Sequence, residues 1–232
     1  MSVDHFTSST PTDWVCVVAH GGGSLNFGKT HPVVKLCLSF CPNVFSLLLP
    51  GHGKLLSATL PTASEHLDAV FRALQSCISG KKVMFIGYSM GGLTLIKLWP
   101  RLTLITDVAS FGVFIGTALA LGETSHMIRR YWTVDSMRAS GREKPLRALH
   151  GDRWAENLTY VSDLTSNRAA GLLVSDTERD ALLHPKSRVF FIQGTGDQPY
   201  PVTDCFLDVM SKIQIARQLS VVETDHFQYF SG

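Results

Sequence analysis

From Trp14 onward the chain alternates short apolar runs with amphipathic segments, and the two patterns predict different elements. The runs "WVCVVAH", "VFSLLLP", "KVMFIGYS", "DVASFGVFIG", "RVFFIQG" and "QLSVVET" are apolar at consecutive positions rather than at every second one. Such runs predict strands covered on both faces, as in a parallel sheet. Between them, Leu67, Val70, Phe71, Leu74 and Ile78 recur at helical spacing over 64–79. Thr62 and Glu65 have the spacing of a capping box ahead of that run, and Gly80 follows its end. "GLTLIKLW", "NRAAGLLVSDTERDALL" and "VTDCFLDVMSKI" predict further helices. Strand, helix, strand repeated in this way predicts an α/β fold. Its sheet would be doubly wound and mainly parallel, with about six strands and helices on both faces.

The rhythm breaks once, between the fourth strand and the helix expected near Asn167. This stretch has no strand pattern, is rich in Arg, and carries Trp132 and Trp154. It predicts a lid insertion over 120–165, with 14–119 and 166–232 as the core and 1–13 as a polar N-terminal segment. An insertion after a strand's carboxyl end projects over the crevice where open α/β sheets bind ligands. The alternative is a packing excursion without substrate contact.

Composition narrows the class. A chain of 232 residues with 45% apolar and 17% charged positions fits one sizeable domain with a filled core. The net charge of +2, with Lys and Arg clustered no further than the pairs Lys81-Lys82 and Arg129-Arg130, argues against a nucleic-acid binder. Five scattered cysteines without a C-x-x-C indicate neither a zinc site nor a redox pair. The N-terminus lacks the apolar run of a secretory signal, and the longest apolar run, Phe111 to Leu121, is too short to span a bilayer. A reduced, cytoplasmic setting is the expectation, which makes the sequon at Asn157 accidental.

The segment "AHGGGSLNFGKT" (19–30) carries two overlapping motifs. From Gly23, "GSLNFGKT" satisfies the phosphate-loop spacing G-x-x-x-x-G-K-[ST]. From His20, "HGGG" has the pattern of a strand-end turn that supplies oxyanion donors. A phosphate loop runs straight into a helix, whereas Pro32 opposes a helix begun at Gly28. Proline fits if the helix starts at Pro32 itself. For the magnesium ligand only Asp107, at the end of "LTLITD", is available. The nucleotide reading is set aside, leaving Lys29 in a loop near the site entrance.

"GYSMGG" ends the third strand and places Gly87-x-Ser89-x-Gly91 at a strand-to-helix turn. Serine needs a base, and the base needs an orienting carboxylate. "VFFIQGTGD" delivers Asp197 just past the fifth strand, and "LSVVETDH" delivers His226 just past the last. His52 and His150 do not follow strands in this order and are expected to be structural.

With "HGGG", "LPGHG" (49–53), "GYSMGG", "GTGD" and "DHF", the chain resembles the α/β-hydrolase superfamily over 14–229, as a small esterase- or thioesterase-like member. The resemblance implies Ser89 as nucleophile, His226 as general base and Asp197 as its partner. It implies oxyanion donors at the amides of Met90 and of the 21–23 turn, Gly22 foremost. It implies no metal or organic cofactor. Gly23, Tyr88, Trp132 and Trp154, with Tyr131 and Met127, would wall an acyl pocket. Arg129 and Arg130 would meet an anionic substrate or lie as plain surface. Only thirteen residues precede Trp14, so at most one short extra strand is expected, near His5-Phe6; the six residues after His226 leave little for a closing helix. The implied activity is cleavage of a small ester or thioester through an acyl-enzyme. The alternatives are a carbon–carbon hydrolase or lyase, or a silent binding protein on the same fold.

Overall fold

Strands that are apolar on both faces require cover on both faces, and the computed structural model shows how this chain supplies it. The structure describes residues 1–9, 12–24, 27–53, 60–117, 125–167, 171–184, 187–201, 207, 219–226 and 229. Its strands are β1 (Ser2–Thr7), β2 (Trp14–Ala19), β3 (Asn43–Leu48), β4 (Lys82–Tyr88), β5 (Phe111–Ile115), β6 (Val189–Gly196) and β7 (Leu219–Asp225). Its helices are α1 (Pro32–Phe40), α2 (Ala63–Ile78), α3 (Met90–Ile105), α4 (Ser125–Tyr131), α5 (Val134–Ala139), α6 (Glu143–His150), α7 (Trp154–Ser166) and α8 (Asp176–Leu183).

The seven strands form one sheet in the order β1-β3-β2-β4-β5-β6-β7. All neighbours run parallel except β1, which pairs antiparallel with β3 at the edge. This is one strand more than six. The extra strand at His5-Phe6 extends over all of Ser2–Thr7, because each residue from Ser2 to Thr7 finds a partner from Leu48 to Asn43. Along β2, Val15, Val17 and Ala19 enter one core cluster, whereas Cys16 and Val18 enter the other. The first cluster is covered by α2, α3 and α8 and the second by Val33, Val34 and Cys37 of α1. Helices on both faces make the sheet doubly wound.

The capping box at the start of α2 is present: Thr62 N–H donates to Glu65 Oε2 at 2.8 Å, and Glu65 N–H to Thr62 Oγ1 at 3.3 Å. Two other helices depart from the sequence pattern. Within the amphipathic run over 167–183, of which 168–170 lie outside the described residues, α8 begins at Asp176 after a second capping box of Ser175 and Glu178. Asn167 instead closes α7, its N–H reaching the Asp163 carbonyl at 3.1 Å. "LTLI", expected to lie in a loop leading into the fourth strand, is the last turn of α3. The helix expected over 202–213 lies outside the described residues apart from 207, as do 227–228 and 230–232.

The winding changes direction between β2 and β4. From β2 the chain moves outward to β3, then returns past β2 to β4 and continues the other way. A crevice opens at the carboxyl ends of the strands flanking such a switch. Pairing of Ala19 with Gly87 brings the His20–Gly23 turn and Ser89 side by side at that point. Helix α7 lies against the same edge: Val161 faces Gly22, Tyr160 faces Gly51, and Asn157 Nδ2 donates to the Gly51 carbonyl at 2.7 Å. Asn157 is fully buried, so the folded chain has no room for a glycan there. Among the described residues no helix is long and apolar enough to cross a membrane.

Candidate active site

Strand β4 passes into α3 through Ser89 alone. Ser89 adopts φ 52° and ψ −122°, the one positive φ outside glycine among the described residues. Such a conformation costs about 1–3 kcal/mol and persists only where the surroundings enforce it. Two close approaches enforce it here. A Cβ on Gly87 would lie 2.5 Å from Gly92 Cα, and one on Gly91 would lie 2.5 Å from the Ala19 carbonyl oxygen. Ser89 N–H is held by the Ile115 carbonyl at 2.9 Å. Met90 opens α3, so its amide has no partner within the helix.

Ser89 Oγ lies 2.8 Å from His226 Nε2, and His226 Nδ1 lies 3.1 Å from both oxygens of Asp197. A carboxylate only accepts, so Nδ1 carries the proton and Nε2 accepts from the serine O–H. All three residues are about 1% exposed. Two residues invisible as site candidates in the sequence secure them. Tyr229 O–H donates to Asp197 Oδ2 at 2.8 Å while accepting from Gly194 N–H at 2.5 Å. Tyr200 N–H donates to Asp197 Oδ1 at 3.1 Å. Tyr88 O–H donates to the His226 carbonyl, and its ring stacks 5.4 Å from the imidazole.

The glycine turn after β2 is clamped by its own histidine. Leu49 N–H donates to His20 Nε2 at 3.0 Å, which places the His20 proton on Nδ1, where it reaches the Gly21 carbonyl at 2.7 Å. The Gly21–Ser24 turn closes with Ser24 N–H on the Gly21 carbonyl at 3.3 Å. Gly22 sits within this turn, and a Cβ there would overlap Val161. Gly23, at φ 73°, has Leu146 and Trp132 beside it. "LPGHG" thus acts through its backbone, since Leu49 anchors the turn that faces Ser89.

Three more buried histidines, His52, His66 and His150, lie nearby, and among the described residues none meets a carboxylate. His66 Nδ1 meets Tyr160 Oη at 3.0 Å and its Nε2 meets Thr94 Oγ1 at 3.1 Å. The His52 ring lies 4.9 Å from His20 and 6.0 Å from His150. Burial pushes His20 down to about 4 and His66 to about 3. His52 falls well below the usual histidine value through burial and then the neighbouring His20, and burial lowers His150. These rings are neutral and structural.

Trp132 lies 5.8 Å and Tyr131 6.1 Å from the His226 ring, so the structure gathers both around the Ser89–His226 pair. Trp154 is buried under the Arg147 guanidinium, 5.2 Å away, at the α6–α7 junction. Arg129 Nε donates to Ser166 Oγ at 3.0 Å. Arg130, Met127, His126, Tyr131 and Pro201 line a cavity of about 860 Å³ that reaches Asp197. Ser89 is buried and is not among the residues that line it.

The phosphate-loop motif does not form a phosphate loop. Helix α1 begins at Pro32, with His31 as its cap accepting from Val33 N–H at 3.3 Å. Lys29 is exposed ahead of it. Asp107 accepts from Ala109 N–H at 2.7 Å, and its own N–H donates to the Lys81 carbonyl at 2.8 Å. Lys81 and Asp107 precede β4 and β5, so Asp107 lies at the opposite edge of the sheet from Gly23, which follows β2, and Lys29, which precedes α1. No magnesium could bridge them.

A family model described as "Alpha/beta hydrolase family" matches residues 16–230. No curated protein matches the chain by sequence. Solved structures match at low identity over nearly the full length. The enol-lactonase from Burkholderia xenovorans LB400 is 17% identical with a TM-score of 0.66, covering 97% of this chain and 90% of the other. A meta-cleavage product hydrolase from Pseudomonas fluorescens IP01 is 15% identical with a TM-score of 0.64, covering 97% and 88%. MenH from S. aureus is 14% identical with a TM-score of 0.65, covering 98% and 92%.

Proposed function

We propose that this chain, which belongs to the alpha/beta hydrolase family, is a serine hydrolase that cleaves a small carboxylic ester or thioester through an acyl-enzyme. One observation carries the reading: Ser89 Oγ, in a strained elbow, is 2.8 Å from a His226 whose other nitrogen is 3.1 Å from both Asp197 oxygens. Ser89 Oγ attacks the carbonyl carbon while His226 Nε2 takes its proton. Asp197 fixes the imidazole tautomer and stabilises the imidazolium as it forms. The amides of Met90 and Gly22 receive the developing oxyanion, each donor being worth about 2.7–4 kcal/mol. Collapse expels the alcohol or thiol, protonated by His226, and leaves Ser89 acylated. Water, deprotonated by His226, then releases the acid and restores the serine.

Helices α4–α7 act in this reading as a lid. Trp132 and Val161 press on the glycine turn, and the buried Ser89 requires them to move for substrate entry. The free thiols Cys16, Cys37, Cys41 and Cys77 suit a cytoplasmic setting. A fluorophosphonate probe tests the chemistry: the folded protein takes up the label, and Ser89→Ala abolishes it. An unlabelled but folded wild type would overturn the reading. A labelled protein that turns over none of a series of p-nitrophenyl esters of increasing chain length would shift it to carbon–carbon cleavage or to a silent binding protein.

A further inference from the structure

Most arginines of the lid are held by a neighbour. Arg129 reaches Ser166 Oγ at 3.0 Å, Arg138 and Arg147 share the Glu143 carboxylate at 3.0 and 2.9 Å, and Arg153 meets Glu156 at 2.6 Å. Arg130, the last residue but one of α4, forms no ion pair or hydrogen bond among the described residues. It stands exposed in the wall of the cavity of about 860 Å³. A cavity of that size takes a small organic molecule. Among the described residues the wall holds no counterion for Arg130. Its one carboxylate, Asp197, already receives His226 Nδ1, Tyr200 N–H and Tyr229 O–H. The wall's other polar side chains include His126, Thr133, Ser136 and Gln198, all of which can donate a hydrogen bond. Thr133 Oγ1 accepts from Ser136 N–H at 3.1 Å, which leaves its own O–H to donate elsewhere. The wall therefore combines one unbalanced positive charge with several donors.

The same cavity ends beside the proton-transfer pair. Tyr131 belongs to its wall, and the Tyr131 ring stands edge-on to the His226 ring at 6.1 Å. Asp197, also in the wall, lies 3.1 Å from His226 Nδ1. A molecule seated there is separated from His226 by the thickness of one side chain. We infer that this cavity receives a carboxylate carried by the substrate, with Arg130 as its counterion. A guanidinium meets a carboxylate through two parallel N–H···O bonds. One guanidinium balances one unit of charge, which suits a carboxylate better than a phosphate monoester with its nearly double charge. The preferred substrate is then an ester or thioester with a carboxylate several bonds from the scissile carbonyl, rather than a neutral one. The inference rests on the serine-hydrolase reading above.

The carboxylate belongs either to the acyl group or to the leaving group, and two isosteric pairs separate these. Mono-p-nitrophenyl adipate against p-nitrophenyl 6-methylheptanoate places the charge on the acyl side. 3-Carboxypropyl butyrate against 4-methylpentyl butyrate places it on the leaving group. In wild type the charged partner of one pair should have the higher kcat/KM relative to its rate of hydroxide hydrolysis. Arg130→Gln should lower that preference about fivefold, the upper end for an ion pair open to water. Lys144→Gln removes the same charge from an exposed site on α6 outside the cavity wall, and should leave the preference within about twofold. Arg130 is exposed, so Arg130→Gln should keep the wild-type melting temperature. A wild type that favours the neutral partner in both pairs overturns the inference, whatever the variants do. A preference that survives Arg130→Gln overturns it as well. So does an equal fall in both variants, which is the general field of a basic lid rather than a site. In each of these cases fluorophosphonate labelling of Ser89 persists and the hydrolase reading stands. A folded wild type that is neither labelled nor active on any of the four esters overturns the hydrolase reading, and the inference with it.

Discussion

Two regions of the carboxyl edge hold a buried histidine in the same tautomer and use it differently. At the ends of β4, β6 and β7, His226 carries its proton on Nδ1 and presents it to the Asp197 carboxylate. At the ends of β2 and β3, His20 also carries its proton on Nδ1 but presents it to a peptide carbonyl. Burial of the two rings differs by no more than 1%. The partner is what differs. A carboxylate can stabilise a positive ring, so His226 is equipped to take a proton and return it. A carbonyl dipole cannot offset the desolvation of a full charge, so His20 stays neutral and serves as a fixed two-ended clamp. In the proposed reaction, one edge of the sheet would carry both the charge-handling machinery and the scaffold that aims its oxyanion donors.

Removing the carboxylate should erase the contrast most completely. Asp197→Asn keeps the volume but replaces one of the two oxygens that accept from Tyr200 N–H and Tyr229 O–H by a donor, and it can offer that amide N–H to His226, which favours the wrong tautomer. The expected loss is about 10⁴-fold in kcat with little change in KM, as for the equivalent change in a serine protease triad. Steady-state kinetics on the best p-nitrophenyl ester measures it. A loss below tenfold would mean that His226 does not depend on Asp197 and that the two histidine environments are functionally alike.

On the clamp side, His20→Ala leaves Leu49 N–H and the Gly21 carbonyl without their partner in a fully buried site. Leaving each such group unsatisfied costs about 1–3 kcal/mol, and the Gly21–Ser24 turn is freed to drift. We expect a clear drop in the urea midpoint together with a fall in kcat of about 10²-fold or more, the scale of one mispositioned oxyanion donor. Fluorophosphonate labelling would slow but persist, because Ser89, His226 and Asp197 are untouched. Normal turnover in a destabilised variant would reduce His20 to a packing residue.

The charge-handling side was far more legible in the sequence than the clamp. Ser89, Asp197 and His226 each end an apolar run, and a parallel sheet brings strand ends together whatever the connecting helices do. The helix start at Pro32 was legible for a similarly local reason, because proline restricts its own backbone. The clamp depends on a contact between His20 and a backbone amide 29 residues away, for which no side-chain pattern exists. Tyr200 and Tyr229 were missed because nothing in a tyrosine's spacing says that its hydroxyl or backbone will meet a carboxylate. The late start of α8 was missed because amphipathic spacing runs on through 167–175, while Asn167 and Ser175 set the boundaries through local hydrogen bonds.

The smallest effect per residue sharpens the comparison through pH. His20 and His66 are held near 4 and 3 by burial, and His52 and His150 are lowered too, against a usual value near 6.5. Each is thus neutral when folded but takes up a proton when unfolded as the pH drops below that value. Their contribution to stability is complete above about pH 6.5 and is lost as the pH falls toward 4 for His20 and 3 for His66. Each such histidine contributes a slope of about 1.4 kcal/mol per pH unit inside its window. Carboxylates titrate mainly below that range, so unfolding midpoints between pH 7 and 5 isolate the histidines. His66→Gln, which retains polar contacts to Tyr160 and Thr94, should flatten the slope by about one histidine's worth, or 1.4 kcal/mol per unit. A wild-type curve that is level from pH 7 to 5 would mean that these rings charge freely in the folded chain, and the neutral clamp would lose its physical basis.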